Sequence, residues 1–211
     1  DAPISRLSLP CAARSGDDVS LFEGRRCPWS CMLLPCAALD GDGDDDVYIG
    51  GASGFAGRVF INKGSGDFSN RFQRVFIYDA EHEDMGSVFI DPDRDGDLDI
   101  IANTLYGSFK VYTNNETKNN SATFKFHDEK GNWFCLGCKI IIHYGHNGEK
   151  HQFREIKTGG GFHSYDAPEA HFGLSDFENI HKIEIMWSTG EKTSLEGSFP
   201  ANHEYTIQRK P

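Results

Sequence analysis

The chain has 211 residues, 38% of them hydrophobic, and a formal charge of −11 at neutral pH. That apolar content can fill one large β domain or two smaller ones. A mean hydropathy of −0.50 and short apolar runs exclude a transmembrane helix, which needs about 18 such residues in a row. The acidic balance argues against nucleic acid as a partner, because phosphate binding requires lysine and arginine gathered on one face.

In chain order, residues 1–35 come first, a loop-rich segment without clear strand patterning. Cys11, Cys27 and Cys31 lie in it and Cys36 at its edge; with Cys135 and Cys138 the total is six. An even count clustered in this way predicts disulfides and an oxidising compartment, with at least two bridges in the N-terminal cluster and the pairing left open. Residues 36–130 follow, with short β-branched and aromatic runs at Val47–Ile49, Arg58–Asn62, Phe72–Tyr78, Ser87–Ile90, Asp99–Ala102 and Phe109–Tyr112. Gly, Asn and Asp punctuate these runs, and no window sustains a period of 3.6. The polar run Thr113–Ala122 reads as an exposed loop. It holds two glycosylation sequons, at Asn115 and Asn119, both expected to face solvent. Composition changes near residues 128–134, and 131–211 reads as a second β module. Its strands are predicted at Lys139–Tyr144, His151–Ile156, Lys182–Trp187, Lys192–Leu195 and Glu204–Ile207. The expected class is all-β.

A repeat runs through the middle region. Asp40, Asp42, Gly43, Asp44 and Asp46 recur as Asp93, Asp95, Gly96, Asp97 and Asp99, displaced by 53 residues, and Arg58–Asn62 recurs as Lys110–Asn114. A period of this size suits one four-stranded propeller blade.

The repeated element is an acidic loop. Asp91, Asp93, Asp95 and Asp99 occupy positions 1, 3, 5 and 9 of one turn, with Asp97 at position 7 to offer its carbonyl. Alternate side chains converge where Gly96 permits the bend, giving the six to eight oxygens that Ca²⁺ prefers. Without a cation, two carboxylates about 5 Å apart repel by roughly 3 kcal/mol at an effective dielectric near 20. An EF-hand is excluded, since the twelfth position is Ala102 rather than Glu and the flanks read as strands. In the first loop Ala38 stands at position 1, so the ligand set of Asp40, Asp42, Asp44 and Asp46 is one carboxylate short. The expectation is two Ca²⁺ sites, the second the stronger, which would bring the charge from −11 to −7.

These residues resemble the FG-GAP (or VCBS) repeat. The tail carries Gly137-Cys-Lys-Ile, Arg154-Glu-Ile, Gly159-Gly-Gly-Phe-His-Ser, His171-Phe-Gly-Leu, Ile183-Glu-Ile-Met-Trp-Ser-Thr-Gly190 and Ala201-Asn. In that order they resemble the ASPIC/UnbV domain, as in cartilage acidic proteins and their bacterial relatives. The resemblance implies two propeller-blade-like repeats followed by a small β-sandwich-like module, and an extracellular, calcium-binding, adhesive role without established chemistry.

Other sites read more plainly. His143, His146 and His151 are better explained by a hairpin than by zinc, His171 by a structural hydrogen bond, and Cys135-x-x-Cys138 by a structural disulfide than by a redox pair. No nucleophile elbow or paired carboxylates in an apolar frame are present, so no enzyme is expected. The functional expectation is a secreted, calcium-binding structural or adhesive protein that self-assembles, as a homo-oligomer or filament or with matrix or glycan, because two blades cannot close a ring. The alternative is a ligand-binding module for carbohydrate or a small apolar molecule, using the aromatic residues.

Overall fold

A computed structural model describes residues 36–51, 57–64, 72–77, 84–105, 107–115, 119–159 and 164–210. Among these residues every regular element is a strand, and no helix is long and apolar enough to cross a membrane. Cys11, Cys27 and Cys31, and with them the expected N-terminal disulfides, lie outside the described residues.

Two small antiparallel sheets carry the repeat. The first joins β1 (Cys36–Ala37), β2 (Asp46–Ile49), β3 (Gly57–Asn62) and β4 (Phe72–Ile77) in sequence order. The second joins β5 (Asp84–Ile90), β6 (Asp99–Thr104) and β7 (Lys110–Tyr112). Their registers coincide. Cys36 faces Val47 as Phe89 faces Ile100, and Val47 faces Phe60 as Ile100 faces Tyr112. The sequence repeat is therefore a repeat of strand pairing. Leu39, Tyr48 and Val59 from the first sheet's segment meet Leu98 and Ile100 from the second in one buried cluster, so the two blades share a core.

The second module is a sandwich. One sheet has the order β10-β9-β12-β13, from β9 (Lys139–Tyr144), β10 (Lys150–Glu155), β12 (Asn179–Met186) and β13 (Lys192–Pro200). The other has β8 (Asn120–Asp128) between β11 (Glu169–Ser175) and β14 (His203–Arg209), with β14 parallel to β8. Inward alternation is clean: Ala122, Phe124 and Phe126 from β8 and Ile140, Ile142 and Tyr144 from β9 are all buried in one cluster. Each phenylalanine or isoleucine among them adds about 1.5–3 kcal/mol on burial. Rings of Phe124 and Phe172 meet edge to face at 5.7 Å.

β8 and β11 were not read as strands in the sequence. The boundary placed between residues 130 and 131 falls after β8, which already belongs to the sandwich. The polar start of β8 hid it, although Ala122, Phe124 and Phe126 alternate as a half-buried strand should.

Candidate metal centre

The second acidic loop connects β5 to β6. Asp91 Oδ2 accepts the Gly96 N–H at 3.1 Å, and Asp95 Oδ1 accepts the Asp97 N–H at 3.2 Å. These bonds fold the loop back on itself, and Gly96 turns at φ 97°, a conformation glycine adopts without steric cost. The end of the loop is pinned across the sheet, where Asp99 Oδ1 accepts the Asn114 N–H at 2.8 Å.

This geometry brings one carboxylate oxygen from each of Asp91, Asp93 and Asp95 within 4.8 Å of one another. Oxygens that share a Ca²⁺ at about 2.3–2.6 Å are at most about 5 Å apart, so the spacing fits. Asp91 Oδ1 and Asp97 Oδ1 are buried without a hydrogen-bond partner, and Asp97 is only 7% exposed. Burial pushes the Asp97 carboxyl up to about 7, and the charges of Asp95, Asp99 and Asp91 push the same way. Burial likewise raises Asp99. No lysine or arginine among the described residues forms an ion pair with this loop. The converging carboxylates of Asp91, Asp93 and Asp95, with the orphaned oxygens of Asp91 and Asp97, are oxygen donors of the type that could hold a hard cation.

The first loop is built on the same plan and filled differently. Asp40 Oδ1 accepts the Asp42 N–H at 3.2 Å, and Asp42 Oδ1 accepts the Asp44 N–H at 2.9 Å. Asp46 is fully buried, and its carboxylate accepts the backbone N–H groups of Leu39 at 2.7 Å, Asp40 at 3.3 Å and Asn62 at 2.7 Å. Burial raises its carboxyl to about 7 against the pull of those donors. Asp40, Asp42, Asp44 and Asp46 supply no group of three carboxylates as close as that of the second loop. Lys63 Nζ lies 3.8 Å from Asp40, and Arg154 Nη2 donates to Asp45 at 2.8 Å.

Asn62 and Asn114 had no role in the sequence reading. Each gives its N–H to the last aspartate of its loop and its amide to a nearby carbonyl. The signal was there, since the two asparagines close the matching segments of the repeat.

Both loops rest on the sandwich. Ser175 donates its N–H to the Gly41 carbonyl at 2.9 Å, and a Cβ at Gly173 would lie 2.6 Å from the Gly41 carbonyl carbon. His171 Nε2 donates to the Gly96 carbonyl at 3.2 Å, while burial holds the ring's pKa down to about 4. His171 thus has the structural role its motif implied. The sequon residue Asn119 does not face solvent as expected. It is half-buried, its Nδ2 donates to the Asp40 carbonyl at 2.7 Å, and Ser121 is buried behind it. Asn115 is exposed.

Residues 39–102, from the first loop through most of β6, match the model of the FG-GAP-like repeat, and residues 128–211 match that of ASPIC and UnbV. The chain carries an FG-GAP-like repeat followed by an ASPIC and UnbV domain. No curated protein matches it. The ASPIC and UnbV match begins at the last residue of β8, yet the sheet needs all of β8 as its central strand.

Within the ASPIC and UnbV domain, Cys135 and Cys138 form a disulfide, and both residues are fully buried. Two of the three hairpin histidines have separate partners. His143 Nε2 bonds Glu184 at 2.9 Å, and the His146 ring packs on Phe177, while His143 and His151 lie 6.3 Å apart between ring centres.

Proposed function

We propose that this chain is a secreted, calcium-binding structural or adhesive module without catalytic activity, in which the second acidic loop holds the ion. The observation that carries the reading is the pair of orphaned buried oxygens, on Asp91 and Asp97, beside the converged carboxylates of Asp91, Asp93 and Asp95. The ion would supply the charge that this loop otherwise lacks, and would stiffen the turn between β5 and β6. The Cys135–Cys138 disulfide supports an oxidising compartment. Self-assembly has a route in β7, which no second strand pairs among the described residues and which presents Val111, 57% exposed, next to Phe109, 73% exposed. Such an edge invites a further strand.

The test is thermal unfolding of the full chain with calcium and with chelator. A site of about 10⁻³ M, typical of extracellular modules, stabilises by about 1.4 kcal/mol in tenfold excess calcium. Asp95→Ala removes that increment and Asp42→Ala retains most of it. A melting temperature indifferent to chelation sinks the metal reading. A native mass of 23.5 kDa at high concentration in calcium sinks the assembly.

A further inference from the structure

The two acidic loops share a sequence and a register but differ in how their charge is met. In the second loop no ion pair from the described residues reaches any of its aspartates, and two buried oxygens have no partner. In the first loop no buried oxygen is orphaned among the described atoms, Asp46 is used up by three backbone N–H groups, and two side-chain cations are in place. Lys63 comes from just beyond β3. Arg154 comes from β10 of the sandwich.

Arg154 is held for this task. Its Nη1 donates to the Phe153 carbonyl at 2.9 Å, its guanidinium lies 5.5 Å from the centre of the Phe172 ring, and its Nη2 reaches Asp45 at 2.8 Å. Around it the backbone of the loop touches the backbone of β11. Gly41 and Gly173 approach too closely for a side chain at Gly173, the Ser175 N–H bonds the Gly41 carbonyl, and Gln152 Nε2, which bonds Tyr144 and the Gly173 carbonyl, would meet a Cβ at Gly43 at 2.9 Å. Ala38, where a first carboxylate ligand would stand, removes a donor that a metal needs and a docked loop does not.

We infer that the first acidic loop is a docking element instead of a second metal site, tied to the sandwich by the Arg154 guanidinium on the exposed carboxylate of Asp45, with the Lys63 ammonium beside Asp40. The inference rests on the proposed metal reading only in expecting one ion per chain instead of two. Its own content is that this loop holds the blades to the sandwich whether or not metal is present. A guanidinium on an acidic turn satisfies charge and hydrogen bonding together, and its fixed fork favours one docking geometry.

Native mass spectrometry of the full chain in calcium, joined to hydrogen exchange, tests this. The wild type is expected to carry one ion, Asp42→Ala one, and Asp95→Ala none. In chelator, the amides of residues 41–44 and 173–175 are expected to stay protected in the wild type while those of 91–97 exchange faster. Arg154→Gln is expected to speed exchange at 41–44 and 173–175 roughly two- to fivefold, the range for a partly exposed ion pair, with Lys63→Gln giving a smaller change. Two ions in the wild type, one of them lost in Asp42→Ala, overturn the inference. So does loss of protection at 41–44 and 173–175 on chelation, or exchange there that neither Arg154→Gln nor Lys63→Gln alters. No ion at all in the wild type overturns the metal reading alone, and the chelator-resistant protection still decides the docking.

Discussion

The blade pair and the sandwich bury their apolar side chains on different plans. The sandwich alternates inward residues along β8, β9, β11 and β12, and its core includes Phe124, Phe126, Phe172 and Trp187. Among the described residues the blades share a cluster of five buried residues and add polar ties to it. Asp84 is one such tie, since it accepts bonds from the Tyr48 hydroxyl at 2.9 Å and the Gly51 N–H at 2.6 Å and so fastens β5 to the first sheet. These ties, and the contacts of both loops with the sandwich, join the blades to their neighbour. The sandwich should therefore be the stable partner and the blades the conditional one.

The largest expected effect breaks the stable partner. Phe172 is fully buried and lies under Arg154, so Phe172→Ala should cost about 3–5 kcal/mol and loosen the first loop as well. Denaturant unfolding followed by tryptophan fluorescence measures it, and a cost under about 1 kcal/mol would reverse the ranking of the two cores. The seam between the modules comes next. His171 is neutral when folded, its pKa held at about 4 against 6.5 when unfolded, mainly by burial, with the Arg154 charge adding to it. A folded pKa below the unfolded one means that the unfolded chain binds the proton first. The stabilisation is thus complete above about pH 6.5 and is lost as pH falls toward 4, by about 2 kcal/mol once the ring's partial exposure is allowed for. His171→Phe should flatten that slope in melting temperature between pH 7 and 4.

Within the blades, Tyr48→Phe removes one of the bonds to buried Asp84 and should cost about 1–2 kcal/mol, seen first as faster amide exchange in β2 and β5. Equal protection in both proteins would show that the polar tie is not what holds the blades. The smallest effect is at the sandwich surface. Lys125, partly exposed between Glu204 at 2.6 Å and Glu169 at 3.7 Å, should lose less than about 1 kcal/mol on change to Ala, and less still in high salt.

Much of this was legible in the sequence at the level of strands. The run Lys139–Tyr144 is β9 to the residue, because three isoleucines flanked by turn residues leave little choice. β8 and β11 were missed for opposite reasons. β8 opens with Asn120-Ser121, which complete the second sequon, so its polar start masked Phe124 and Phe126. β11 bends at a bulge after Gly173 and contains His171 and Gly173, residues that serve the neighbouring loops more than the strand. Asn119 was misplaced by the same logic, because a sequon in a polar run looks exposed unless the Asp40 carbonyl it bonds is known to be there.

The sequence by itself determined the period and the carboxylates of each loop, because alternation and Asp-Gly spacing act over a few residues. It did not separate the fates of the two loops. Arg154 is 109 residues from Asp45, and His171 is 75 from Gly96. Contacts at such separations leave no periodic trace in a single chain. Only the tertiary structure decided which loop meets a guanidinium and which keeps two buried oxygens without a partner, since a charge is answered by whatever the fold brings within a few ångströms of it.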